Sequence, residues 1–310
     1  MIDFRYHLVS LMAVLVALTI GIVLGAGPLD NPISSNLKGQ VDKLSESQAK
    51  LSAENKTMKK LVNSREQFIG ATGSALVKDT LTGVTVALLA TDTANKDDIN
   101  ATQTVLAEAG ATTVGIVQLT ESYSNPNGAP YRDELAVQVT EHLANKPDEQ
   151  TGTAKVLAAG LFEALTVTTE QRNELLDLYS TGSSPMIQMT GKPKQPAQAI
   201  VLVTARAVQV PAEKAQENEN SLDEVRSQML TELSRAISSA SEGSAVIGAA
   251  QSNVDELNPI RAAKVPVITI DDIGSVVATY SVPLALSYRG TVKAFGIGIG
   301  AEAPYPAIQK

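Results

Sequence analysis

The chain opens on an unbroken apolar run. Leu8–Gly27 reads LVSLMAVLVALTIGIVLGAG, and only Ser10 and Thr19 in it carry strongly hydrogen-bonding side chains. About 20 apolar residues at ~1.5 Å each match the ~30 Å hydrocarbon core of a bilayer. The pattern predicts one transmembrane helix over 8–27, a short cytoplasmic head over 1–7, and the rest of the chain outside the cytoplasm. Ala13, Ala17, Gly21 and Gly25 recur every four residues, so one face of that helix is small enough for close helix pairing in lipid. Pro28 and Pro32 then end the run, and Ser34 or Ser35 is placed to cap a new helix.

From 34 to 70 the period changes to seven. One row of core positions takes Leu37, Leu44, Leu51, Met58 and Arg65, and the other takes Val41, Gln48, Asn55, Val62 and Ile69, with Lys, Glu, Ser and Gln between them. Such a repeat predicts a coiled coil, about 50 Å long at ~1.5 Å per residue, in which a buried Asn sets register and favours a parallel dimer. The alternative is a single amphipathic helix lying on the domain that follows. Gly70–Ser74 reads as a hinge.

Beyond residue 76, short apolar runs alternate with amphipathic stretches. Val84–Ala90, Thr112–Leu119, Ala199–Ala205, Ala245–Ala249, Val265–Ile270 and Phe295–Ile299 read as strands. Helices are expected over Lys96–Ala109, Arg132–Asn145, Val156–Leu165, Thr168–Tyr179, a stretch capped by Ser221 and Glu224, and Ile273–Ser287 with Pro283 as a kink or boundary. Thr168 and Gln171 form a capping box, Tyr123–Tyr131 is a loop, and Pro211–Asn220 is a charged insert. The fold class is α/β: a Rossmann-like domain over 76–310 with a mostly parallel sheet covered on both faces.

Composition narrows the chemistry. Among 310 residues there is no Cys and no Trp, only two His, and a net charge of −8. Disulfides, thiolate metal sites and Cys nucleophiles are excluded. A nucleic-acid surface is not expected without clustered Lys and Arg. The head carries a single Arg5 offset by Asp3 and the apolar run flows straight into Gly-Pro, so a retained anchor is expected rather than a cleaved signal peptide. Asp92 and the Asp271-Asp272 pair fall at strand ends, where they cap the next helix or together hold a divalent cation. Gly296-Ile-Gly298-Ile-Gly300 lacks the following helix of a phosphate loop. It reads instead as a strand whose bare face lets another element approach. Met186 and Met189 offer two thioethers, too few for a useful Cu(I) site. His142 reads as a surface residue. No cofactor and no enzymatic activity are expected.

The opening also resembles a known family. Asp3, Phe4, Arg5, Tyr6 and His7, followed by the apolar span and the exit Gly25–Leu29, are similar to the hallmark of actinobacterial MctB-like copper transporters. That family combines the head, the span, a coiled-coil stretch and an α/β domain. Within it the chain is most similar to the SteB-like cell-separation branch. This resemblance implies a SteA-like membrane partner and control of a RipA-type peptidoglycan hydrolase. On that reading the chain is a non-enzymatic adaptor, a homodimer or hetero-oligomer. Asp3–His7 contact the membrane partner, Gly21 and Gly25 pack the anchor, and Leu37, Val41, Leu44, Gln48, Leu51, Asn55, Met58 and Val62 form the partner-binding seam. The alternative implied by the same family is copper transport or homeostasis.

Overall fold

The structure, a computed structural model, describes residues 4–25, 32–148, 150–167, 169–207 and 222–307. Asp3, the Gly27–Asn31 exit, Thr168, the Pro211–Asn220 insert and Ser221 lie outside the described residues. The chain divides into two units, Met1–Ser64 and Arg65–Lys310.

The first unit is helical. Helix α1 spans Phe4–Gly25, so the head residues from Phe4 onward belong to the same helix as the apolar run. Arg5–Gly25 is long and apolar enough to cross a membrane. Helix α2 spans Pro32–Val77, 46 residues. It starts at Pro32, four residues earlier than a Ser35 cap requires. Proline suits that position because its missing N–H has no partner in the first turn anyway.

No hinge follows the heptads. Helix α2 continues through Gly70 and Gly73 to Val77. In this last stretch, which belongs to the second unit, the buried positions are Gly73 and Val77, with Glu66 and Ile69 half-buried. Gly73 is small because a ring lies on it: a Cβ there would come within 2.7 Å of the Tyr280 ring. Glycine at this position permits close packing rather than bending.

The second unit is a doubly wound α/β domain. Its strands are β1 (Thr85–Ala90), β2 (Thr112–Leu119), β3 (Ile187–Met189), β4 (Ala199–Val203), β5 (Ser244–Ile247), β6 (Ile268–Ile270) and β7 (Ala294–Phe295). They form one sheet in the order β3-β2-β1-β4-β5-β6-β7. Every pairing is parallel except β2 with β3. The central strands β1 and β4 are almost wholly apolar because both of their faces are covered. On one face Ala87, Leu89, Ile200, Leu202 and Val246 pack with helices α5 (Ala129–His142), α6 (Thr153–Thr166), α7 (Thr169–Ser180) and α8 (Glu224–Ile237). On the other, Val86, Leu88, Val201, Val203 and Ile247 pack with Val77, α3 (Lys96–Glu108) and α10 (Val276–Ser287).

Three sequence expectations change here. The loop over Tyr123–Tyr131 is partly ordered: α4 (Glu121–Ser124) and a 3-10 turn at Pro126–Gly128 precede α5. Pro283 lies inside α10 rather than at a boundary. The last strand stops at Phe295, and the glycines after it form a loop. The short strand β3 was not legible, since only three residues of a Pro/Gly/Ser-rich segment pair. Asp223, whose side chain accepts from the Arg226 N–H, caps α8 in the place expected of Ser221.

Candidate functional site

In a doubly wound sheet the ligand crevice opens beyond the carboxyl ends of the strands where the order reverses. Here that point lies between β1 and β4. The loop after β1 is Thr91-Asp92-Thr93, with no glycine fingerprint for a pyrophosphate. The crevice is filled by the chain's own ions. The Glu256 carboxylate, 4% exposed, accepts from Thr91 Oγ1 at 3.3 Å, Thr93 Oγ1 at 3.1 Å, the Ala205 N–H at 3.0 Å and Arg226 Nε at 2.7 Å. Arg226, reaching in from the first turn of α8, also donates to Asp92 Oδ1 at 2.8 Å and Ser124 Oγ at 3.0 Å. Burial depresses the Arg226 guanidinium, but Glu256 and Asp92 more than compensate, so its pKa is raised. Asp92 is therefore an ion-pair partner, not a cap. Asn95 caps α3, accepting from the Asp97 N–H at 2.8 Å. Neither Arg226 nor Glu256 was singled out from sequence. Each is one charged residue beside an apolar helical stripe, with no local motif to mark it.

The second acidic site is self-contained too. Asp271, 1% exposed, accepts from the Ile297 N–H at 2.7 Å, the Gly298 N–H at 3.0 Å and Arg261 Nη1 at 2.9 Å. Arg261, on α9 (Leu257–Ala262), also donates to the carbonyls of Ile299 and Phe295. The glycine run is thus an anion nest occupied by a carboxylate of the same chain. Gly296 has φ +127, and a Cβ there would fall 2.0 Å from Asp271 Oδ1. This corrects the reading of 296–300 as a strand with a bare face. Ser275, not either aspartate, caps α10. Asp92 and Asp271 belong to separate arginine networks. Among the described residues no group of three or more His, Asp or Glu is placed to hold a metal.

The thioethers do not form a soft-metal site. Met186 is fully buried in the core and Met189 is half-buried on β3. His142 is half-buried, with Nδ1 2.9 Å from the Gln138 carbonyl.

The seam of α2 is open. Leu37, Val41, Leu44, Leu51, Met58 and Val62 are between 48% and 70% exposed, and Gln48 and Asn55 are exposed beside them. At 100° per residue these eight positions fall within a stripe about 100° wide. The spacing assigns Val41, Gln48, Asn55 and Val62 to heptad position a, and Leu37, Leu44, Leu51 and Met58 to d. Val at a with Leu at d and one Asn at a is the parallel-dimer pattern. In that register Glu54 falls at g and Lys59 at the following e′, an attractive pair made twice by symmetry. The seam's last a position, Ile69, is half-buried in the second unit. On α1, Tyr6 and the apolar side chains are exposed, and a Cβ on Gly21 or Gly25 would meet nothing within 4 Å.

Comparison with known proteins agrees with the opening residues. The family model described as "Copper transport outer membrane protein, MctB" matches residues 1–306. Copper transporter MctB of Mycobacterium tuberculosis is 32% identical over 129 residues, 42% of this chain and 41% of the relative. The Mycobacterium leprae protein of the same name is 32% identical over 127 residues, 41% of this chain and 40% of the relative. The aligned part spans about two fifths of the length of these relatives. Since the family model covers nearly the whole sequence, the chain belongs to the MctB family.

Proposed function

We propose that the chain acts in copper transport or homeostasis as a membrane-anchored protein, and that its part is indirect. The observation that carries this reading is the family match over residues 1–306. The chemistry of the chain sets the form. Among the described residues one helix is long and apolar enough to cross a membrane, and a single helix encloses no pore. The α/β sheet is covered by helices on both faces, so it does not enclose a channel either. Cu(I) prefers clustered thiolate and thioether ligands, and this chain has no Cys. Among the described methionines, Met186 and Met229 are buried in the core, Met189 is half-buried on β3, and Met12 and Met58 lie on two separate helices. The ion is therefore handled by a protein that this chain contacts.

The test is complementation in the native host. Deleting the gene is expected to change cellular copper after copper exposure. A variant carrying His7→Gln, Met12→Leu, Met58→Leu and His142→Gln is expected to restore it as well as the unaltered chain. Unchanged copper in the deletion strain ends the copper reading. Failure of this variant alone, with its amount in the membrane and its crosslinking through α2 unchanged, means the chain coordinates copper directly.

The exposed α2 stripe favours a second reading, an adaptor that works through helix pairing. Cell separation with a SteA-like membrane partner and a RipA-type hydrolase is the finer form of this reading, with the N-terminus inside the cell. Because the chain lacks Cys, Leu44→Cys reports on its own neighbour. Oxidation in membranes is expected to give a crosslinked dimer, or a crosslink to a second protein. Adding Asn55→Leu is expected to keep the crosslink while broadening the range of oligomers, since the residue that specifies register is gone. No crosslinked product at Leu44 or at Leu51 would rule out parallel pairing of α2 with a second copy of the chain.

A further inference from the structure

Among the described residues, one edge of the sheet has no backbone partner along part of its length. Strand β3 pairs only with Val117–Leu119 of β2. After β3, Gly191 at φ +140 turns the chain away. The Thr120 N–H donates to the Met186 carbonyl, and Gln118 is paired with Gln188. Alternation along β2 then points the N–H and C=O of Ile116 outward, past the end of β3. No backbone partner outside the sheet is recorded for Thr113–Ile116. The chain returns over one face, where Pro193 packs on Gly115, but it does not rejoin the ladder.

That edge forms one wall of an open cleft of about 650 Å³. Its other walls are Gln103 of α3 and the segment that includes Thr190, Lys192, Lys194 and Gln195. Two lysines line it and no carboxylate does, although the chain carries 33 acidic residues and a net charge of −8. Lys192 is neutralised by Asp177 at 2.6 Å, whereas Lys194 is exposed, and no carboxylate is recorded beside it. An unpaired strand edge offers main-chain hydrogen bonds to an extended segment, and the charge beside it selects which segment.

We infer that the outer edge of β2, from Thr113 to Ile116, with Lys194 beside it, is a docking site for an extended acidic peptide of a partner protein, bound as an added strand. Four residues of β2, with a bulge opposite Val86 and Ala87, accommodate about 13 Å of peptide. The site is distant in sequence from the α2 stripe, so the two surfaces can serve different partners.

The experiment uses the full chain in detergent micelles and a fluorescein-labelled seven-residue peptide of alternating glutamate and valine. Binding is read by anisotropy, and the site by hydrogen exchange. The expected result is binding with new amide protection confined to residues 113–116. Lys194→Glu, an exposed substitution that leaves the fold intact, is expected to weaken binding about tenfold. An analogue N-methylated throughout keeps the charges but loses every donor, and it is expected not to bind. Equal binding of the methylated analogue would reduce the site to a charge attraction and overturn the strand-addition proposal. So would protection elsewhere, or no binding of the unmethylated peptide. Unchanged affinity in Lys194→Glu would overturn the selection for acidic peptides.

Discussion

Asp272 is the residue at which the fold carries an uncompensated charge. It follows β6 at φ +63, half-buried. Burial raises its pKa, and the neighbouring carboxylates of Asp271 and Glu66 raise it further, while a hydrogen bond from Ser275 acts the other way. The raised value means that the folded form binds more protons than the unfolded chain across the window from about pH 4 to the folded pKa. Stability therefore falls as pH rises through that window and stays lower at neutral pH. Asp272→Asn keeps the shape, and Asn tolerates the left-handed backbone. The variant is expected to melt higher than the parent at pH 7 and to lose this part of the pH slope. An unchanged or lower melting temperature at pH 7 would show that the Asp272 charge is compensated. Asp92 and Asp271 show how much of the site was legible at this scale. Both were recognisable as acidic groups at strand ends. Their roles were not, because Arg226 and Arg261 arrive from helices 134 and 10 residues away in sequence. Nothing local to either aspartate announces an arginine partner.

At the scale of elements, period decides what can be read. Apolar runs such as AIVLV at β4 stand out because a strand covered on both faces has no polar positions to dilute it. The heptads of α2 stand out for a complementary reason, since Leu37, Val41, Leu44, Leu51, Met58 and Val62 recur on one stripe even though Gln48 and Asn55 interrupt it. Glycines misled in both directions. Gly70 and Gly73 suggested a hinge, yet α2 runs through them because Gly73 receives the Tyr280 ring, whose hydroxyl donates to Glu108 at 3.1 Å. Gly296, Gly298 and Gly300 suggested a strand, yet they wrap a buried carboxylate. A glycine reports that space or a positive φ is needed, and only the tertiary neighbour says which. Strand β3 was missed because three residues are too few to show a period, and its absence from the sequence reading also hid the open edge of β2.

At the scale of the molecule, the division at Ser64 predicts what can be separated. Both core clusters lie between Val77 and Phe295, entirely within the second unit. The fragment Arg65–Lys310 is therefore expected to fold without α1 and the heptads, with a sharp thermal transition and the same exchange-protected strands as the full chain. The cut must not move further along α2. Val77 is fully buried in the cluster with α3 and α10, and Gly73 covers Tyr280. A fragment starting at Asp79 loses the Val77 side chain, worth about 2 kcal/mol of burial. It also exposes the Tyr280 ring. For a domain of this size that loss lowers the melting temperature by about 4–8 °C. Equal stability of the two fragments would mean that the end of α2 only rests on the domain, and that the heptad helix is tethered to it rather than built into its core.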